Sequence, residues 1–145
     1  MSAGDLNAAR IIPALRYRDA AAAVEWLCRA FGFERHLVVP AADGVGVVHA
    51  QLTFGPGKSG MIMLGPGSEG DYDKLLRDPT EAGGVTQAPY IIVAEVNTHH
   101  DRAKAAGAEI VTPPTDQDYG GRLYTCRDPE GHVWNFGSYD PWAES

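Results

Sequence analysis

Few residue types in this chain could do chemistry together. The five histidines, His36, His49, His99, His100 and His132, are scattered, and no His-Glu-x-x-His pair, Gly-x-Ser-x-Gly elbow or dinucleotide-type glycine pattern accompanies them. His49 has the best local setting. In Val48-His49-Ala50-Gln51-Leu52-Thr53-Phe54 the types alternate, so on a strand His49, Gln51 and Thr53 share one face and Ala50, Leu52 and Phe54 the other. An imidazole beside an amide can act as a ligand or general base, or it can be a partly solvated strand histidine, and the lack of an identifiable second donor favours the latter. Arg16 offers an anion-binding group, with a surface or dipole-balancing role equally open. Gly55-Pro56-Gly57-Lys58-Ser59-Gly60 has the composition of a phosphate loop without its spacing or its following helix, and reads as a hairpin connection. His132 reads as flanking a turn, His99 and His100 as solvent-facing residues after a helix start, and His36 as uninformative. Cys28 and Cys126 lack CxxC spacing and are expected to be small buried residues.

The elements that must carry these residues repeat. Arg10 to Tyr17 reads as a strand interrupted by Pro13, which suits an edge or bulged position. Asp19 then caps a helix whose apolar positions Ala20, Ala23, Val24, Leu27 and Phe31 recur at helical spacing until Gly32 stops it. Strands follow over Phe33 to Pro40, Val45 to Phe54 and Met61 to Leu64. A glycine-rich connector from Gly65 to Ala88, with one helical turn around Asp71 to Arg77, precedes a second pass. Tyr90 to Val96 reads as a strand, Thr98 with Asp101 resembles a capping box, and Gly107 ends the second helix. Strands over Ala108 to Thr112, Arg122 to Arg127 and His132 to Ser138 complete the order, with Asp128-Pro129-Glu130-Gly131 as the last turn. Leu15 lies on Val93 and Ile62 on Trp134, offsets of 78 (93 minus 15) and 72 (134 minus 62), so the chain reads as a duplicated βαβββ unit.

At 145 residues the chain fits one compact domain, and 44% hydrophobic with 21% charged residues can bury a core. A net charge of −7 has the wrong sign for nucleic acid or anionic lipid. The apolar run Tyr90-Ile91-Ile92-Val93-Ala94 is too short to span a bilayer, and the start Met1-Ser2-Ala3-Gly4-Asp5 lacks the pattern of a signal peptide, so a cytoplasmic location is expected.

Tyr119-Gly120-Gly121-Arg122 leading into Arg127-Asp128-Pro129-Glu130-Gly131-His132-Val133-Trp134-Asn135-Phe136, together with Ile11-Ile12-Pro13-Ala14-Leu15-Arg16-Tyr17-Arg18-Asp19 before the first helix, resembles the vicinal oxygen chelate superfamily of glyoxalases, extradiol dioxygenases and bleomycin- and fosfomycin-resistance proteins. The resemblance covers nearly the whole chain. It implies an α+β fold in which two tandem βαβββ modules form a curved sheet with a concave cleft and helices outside. One domain over 1–145 is expected, with modules at about 8–65 and 89–140 and the connector 66–88 serving as a module-exchange linker or a flap. It also implies that Ile12, Ala14, Arg16, Tyr90 and Ile92 face the cleft, with Leu15 and Val93 behind.

In the family's metalloenzymes a divalent metal sits on positions that correspond here to Ile12, Met63, Tyr90 and Asn135. None suits the role, because isoleucine has no lone pair and methionine offers a soft thioether. No His, Asp, Glu or Cys lies within two residues of any of them. No metal, no cofactor and no catalytic residue is therefore expected. The resemblance then points to a metal-independent small-molecule binding protein of the sequestering, resistance type. Ile12 and Met63 would supply apolar wall, while Arg16, His49, Gln51, Tyr90 and Asn135 would orient a ligand. Tyr139 and Trp142 would cover the cleft mouth or anchor the tail. A homodimer is implied, without nucleic-acid or membrane partners. The competing reading is a metal-dependent glyoxalase-type lyase or dioxygenase with relocated ligands that include His49.

Overall fold

The computed structural model describes residues 7–143. The chain divides after Asp78 into two compact units. The first runs β1 (Ala14–Arg16), α1 (Ala20–Phe31), β2 (Glu34–Pro40), β3 (Val47–Phe54) and β4 (Gly60–Gly65). The second runs α2 (Pro79–Ala82), β5 (Tyr90–Ile92), α3 (Val96–Ala105), β6 (Glu109–Asp116), β7 (Arg122–Arg127) and β8 (Val133–Gly137). Each unit forms one four-stranded sheet, ordered β1-β4-β3-β2 and β5-β8-β7-β6. In both, the first strand runs parallel to the last and the other pairs are antiparallel. The fold is α+β, two βαβββ modules in tandem. No helix among the described residues is long and apolar enough to cross a membrane.

Local chemistry sets the first unit as the sequence predicts. The Asp19 carboxylate accepts from the Ala22 N–H at 3.0 Å, satisfying one orphan donor of α1. Gly32 ends the helix with φ 88°, a left-handed conformation that costs glycine little. Between these caps Ala20, Ala23, Val24, Leu27, Ala30 and Phe31 are buried, and the helix packs on β3. The sheet answers with Ala50, Leu52, Ile62 and Leu64, all buried. Full burial of a Leu or Phe side chain contributes about 1.5–3 kcal/mol, so this layer holds the unit together.

The second unit departs from expectation at its helix. β5 stops at Ile92 and α3 already begins at Val96, so Thr98 and Asp101 lie inside the helix and form no capping box. The N-cap position falls on Glu95, whose side chain makes no capping bond. Gly107 does follow the helix with φ 102°. β6 runs on to Asp116 through Pro113 and Pro114, beyond the predicted Thr112. It is an edge strand with an irregular register between Thr112 and Thr115, and an edge tolerates the missing N–H groups.

The ladders correct the internal alignment. The carbonyl of Pro13 accepts from Met63 N at 2.9 Å, and that of Pro89 from Asn135 N at 3.0 Å. One turn of register further, Tyr17 N donates to Gly65 O and Val93 N to Gly137 O. The first strands therefore correspond at an offset of 76 (89 minus 13), two fewer than the 78 read from sequence, while the last strands keep 72 (135 minus 63). The backbone pattern decides because each proline lacks an N–H but keeps a carbonyl that the last strand must satisfy.

Candidate functional site

Each sheet has a face turned to its helix and an open face. In the first unit, β-pairing puts Ala14, Met63, Gln51 and Leu37 in one row across the open face. The next row holds Arg16 opposite Gly65 and His49 opposite Val39. His49, Gln51 and Met63 are half-buried, while Leu37 and Val39 are exposed. The alternation read from β3 is correct for Ala50 and Leu52, which are buried on the helix side, but it breaks at the end of the strand, where Thr53, expected on the open face, is buried and Phe54 is only half-buried. The Gln51 amide lies 3.2 Å from His49 Nε2. Arg16 is engaged by Asp73, with Nη2 donating to Oδ1 at 2.8 Å. Ile12 precedes β1, and the register makes Ala14 the counterpart of Tyr90.

In the second unit Tyr90, Asn135, Thr125 and Thr112 form the equivalent row. Asn135 is bonded within its own sheet at both ends of its amide, Oδ1 accepting from Thr125 Oγ1 at 2.7 Å and Nδ2 donating to Pro89 O at 3.3 Å, which leaves one N–H and one lone pair beyond these bonds. The Tyr90 hydroxyl donates to Tyr139 O at 2.7 Å and lies over Gly137, where a Cβ would stand 2.7 Å from that oxygen. Burial, then the neighbouring Tyr119, pushes the Tyr90 phenol above its ordinary value, so it is a neutral donor at physiological pH. Tyr119 packs edge-on against Tyr139 at 5.1 Å, whereas Trp142 is 87% exposed and covers nothing.

The helix side of this unit holds what sequence reasoning misplaced. His99 is not solvent-facing: its ring lies 4.2 Å from that of Phe136, and Nδ1 is 2.6 Å from the Tyr124 hydroxyl. His100 has a side chain only 14% exposed, beside Asp101 and edge-on to Tyr124. Tyr124 is fully buried, and desolvation raises its phenol far above the usual range. The available signal was the alternation of Tyr124, Cys126, Trp134 and Phe136, an aromatic floor that a helix with few apolar residues can cover only by using its histidines. Cys126 is buried and its thiol is pushed up to about 12, by desolvation first and then by Asp128. Cys28 is only half-buried, short of the full burial expected, and burial is the main reason its thiol is raised as well. Asp128 closes the final turn: its carboxylate takes hydrogen bonds from the backbone N–H groups of Glu130 and His132 and from Trp134 Nε1 at 3.0 Å.

A divalent metal would need imidazole, carboxylate or thiolate donors at the positions the resemblance sets for it. The register supplies Ala14, Met63, Tyr90 and Asn135 there, with Ile12 short of the strand, and the polar atoms of Tyr90 and Asn135 already bonded within the protein. Among the described residues no three His, Cys, Asp or Glu side chains gather as a ligand set. These residues do not fit the ion.

Comparison with known proteins agrees with this architecture. The family model described as Glyoxalase/Bleomycin resistance protein/Dioxygenase superfamily matches residues 10–136. Uncharacterized protein MT0910 of Mycobacterium tuberculosis is 32% identical over 138 residues, covering 92% of this chain and 79% of that protein. The crystal structure of TioX from Micromonospora sp. ML1 superposes with a TM-score of 0.67 at 35% identity, covering 88% of this chain and 95% of TioX. The fosfomycin resistance protein FosX from Listeria monocytogenes, solved with Mn(II) and sulfate, shares the fold at a TM-score of 0.65 and 15% identity, over 97% of this chain and 94% of FosX. With its ladders, its turn at Asp128 and these matches in agreement, the chain belongs to the glyoxalase/bleomycin resistance protein/dioxygenase superfamily.

Proposed function

We propose that the chain binds an organic small molecule without a metal, as a sequestering protein of the resistance type. The observation that carries this reading is the chemistry of the family's metal positions, which here offer an alkyl group, a thioether, a neutral phenol and a hydrogen-bonded amide. Such groups suit an apolar ligand with a few polar points. Ile12 and Met63 serve as wall, and Arg16, His49, Gln51, Tyr90 and Asn135 as orienting groups. The reading requires no cofactor and no catalytic residue. A homodimer in the cytoplasm is the working form, with a net charge of −7 weighing against nucleic acid and two cysteines outside any disulfide consistent with a reducing compartment.

Elemental analysis of untagged protein, before and after incubation with Zn, Ni, Mn and Fe and removal of excess, tests the reading. Less than about a tenth of an equivalent throughout is expected. Near-stoichiometric metal overturns it in favour of a metalloenzyme with relocated ligands, for which His49→Ala would abolish turnover. A thermal-shift screen of small molecules on the same preparation is expected to return stabilising compounds.

A further inference from the structure

Arg16 holds a carboxylate in this structure, and that carboxylate comes from the chain itself. Asp73 lies in the single helical turn Asp73–Leu75 of the stretch after β4. Arg16 Nη2 donates to its Oδ1 at 2.8 Å and Nη1 to its backbone carbonyl at 3.3 Å. The Arg16 side chain is 12% exposed and that of Asp73 22%. Ser68 Oγ donates to the second carboxylate oxygen, and Gly67, at φ 81°, lies so close that a Cβ there would stand 2.0 Å from Nη1. The stretch is laid flush against the guanidinium.

Beside Arg16 the sheet carries no side chain. The neighbour of Arg16 in the row is Gly65, where a Cβ would meet Val48 O at 2.7 Å, so no side chain can fill that position. His49 stands on the far side of this bare patch, its Cα 3.8 Å from the same point. The Gln51 amide nitrogen lies 3.2 Å from His49 Nε2, and in the tautomer in which Nε2 accepts from it the ring proton sits on Nδ1. That nitrogen has no hydrogen-bond partner among the described residues. Arg16 and His49 thus flank a position where the sheet carries no side chain, and Met63 and Leu37 lie in the adjoining row.

The stretch carrying Asp73 is held by these polar contacts and by its own turns, not by burial. Tyr72 is 62% exposed and Leu75 79% exposed, so neither anchors it in the core. We infer that Arg16 is the carboxylate-binding group of the site, that Asp73 occupies it when no ligand is present, and that an organic acid with an apolar body displaces Asp73 and releases residues 66–77. A largely buried guanidinium needs a counter-ion at all times, because leaving it unpaired costs the full desolvation of a charge. Two interchangeable carboxylates meet that need. The net charge of −7 does not forbid an acidic ligand, since charges beyond roughly 8 Å are screened and the contact pair is not.

This inference rests on the proposed binding function, and its test separates the two. Calorimetric titration with naphthalene-2-carboxylate, and with naphthalene-2-carboxamide as the uncharged control, is run on wild type, Asp73→Asn and the double variant Arg16→Gln/Asp73→Asn. Removing the internal competitor raises the population able to bind, so Asp73→Asn is expected to hold the carboxylate about tenfold or more tighter than wild type, with the carboxamide unchanged. The added Arg16→Gln is expected to erase the preference. In wild type, amide exchange over residues 68–76 accelerates with the carboxylate and not with the carboxamide, a readout that needs no variant. If both compounds bind and Asp73→Asn leaves the carboxylate affinity where it was, the inference falls and the binding function stands. If neither compound binds any variant while the small-molecule screen still yields ligands, the carboxylate assignment falls. If that screen is also empty, both fall.

Discussion

The two units share one hydrogen-bonded plan and fill it with different chemistry. Pro13 and Pro89 accept from equivalent residues of the last strand, and each unit leaves its sheet open on the side away from its helix. Beneath α1 the sheet is aliphatic, with Ala50, Leu52, Ile62 and Leu64, whereas beneath α3 it is aromatic, with Tyr124, Trp134 and Phe136. The aliphatic unit closes its β3–β4 connection with glycines, and the aromatic one closes the equivalent connection with a buried carboxylate. A backbone plan that satisfies its own polar groups leaves the side chains at liberty to diverge. This is how one fold comes to host unrelated sites.

That contrast can be broken most strongly at Asp128. Its replacement by alanine strands Trp134 Nε1 and two backbone N–H groups, and is expected to lower unfolding free energy by about 3 kcal/mol in urea titrations. A loss under about 1 kcal/mol would mean that the turn holds through its backbone alone. The matching point in the first unit is Gly55, at φ 85° and ψ 168°, where a Cβ would sit 2.7 Å from Ser59 Oγ. Gly55→Ala is expected to cost about 2 kcal/mol, from backbone strain and not from a lost bond, so trimming Ser59 to glycine should recover little of it. The two helices sharpen the comparison further. Asp19→Ala should cost about 1 kcal/mol by removing the cap on Ala22, and Glu95→Ala, which removes no capping bond, should stay within about 0.5 kcal/mol.

The smallest effect is local and depends on pH. The Ser68 hydroxyl first, then the Ser68 backbone N–H and after it the Arg16 guanidinium hold the Asp73 carboxyl below its ordinary value, against a desolvation that raises it. Because the folded-state pKa is depressed, the contribution of this contact is full above the unfolded value and disappears as pH falls through the folded one. Protection of amides 68–76, corrected for intrinsic exchange, should therefore be flat from about pH 8 to 5 and vanish only below about pH 4. The urea midpoint should follow its own course, since the stretch lies outside the core. Loss of protection near neutral pH would show that a histidine, not Asp73, controls the stretch.

Much of this was legible in the order of residues. Asp19 and Gly32 bracket α1 as chemistry requires, and alternation separates buried from open faces in β7, in β8 as far as Phe136, and in β3 as far as Leu52. The start of α3 was not legible, because Thr98 and Asp101 imitate a cap while the real boundary follows from β5 having to stop where Val93 N meets Gly137 O. His99 and His100 were equally hidden: their burial comes from an aromatic floor contributed by strands more than twenty residues further on.

At the candidate site, residue types alone show that the four positions the resemblance sets for a metal carry no imidazole, carboxylate or thiolate nearby, since that is a property of the sequence. Arg16, His49 and Gln51 were also named by type and alternation. Only the tertiary structure decided that Ala14 and not Ile12 stands level with Met63, because register is fixed by carbonyls that must find partners across a ladder. It alone also decided that Arg16 already holds a carboxylate, for Asp73 is 57 residues away in the chain and comes within hydrogen-bonding reach only when a glycine-rich stretch is folded back over the sheet. Short-range pattern fixes which groups a face can carry, and long-range closure fixes which of them meet.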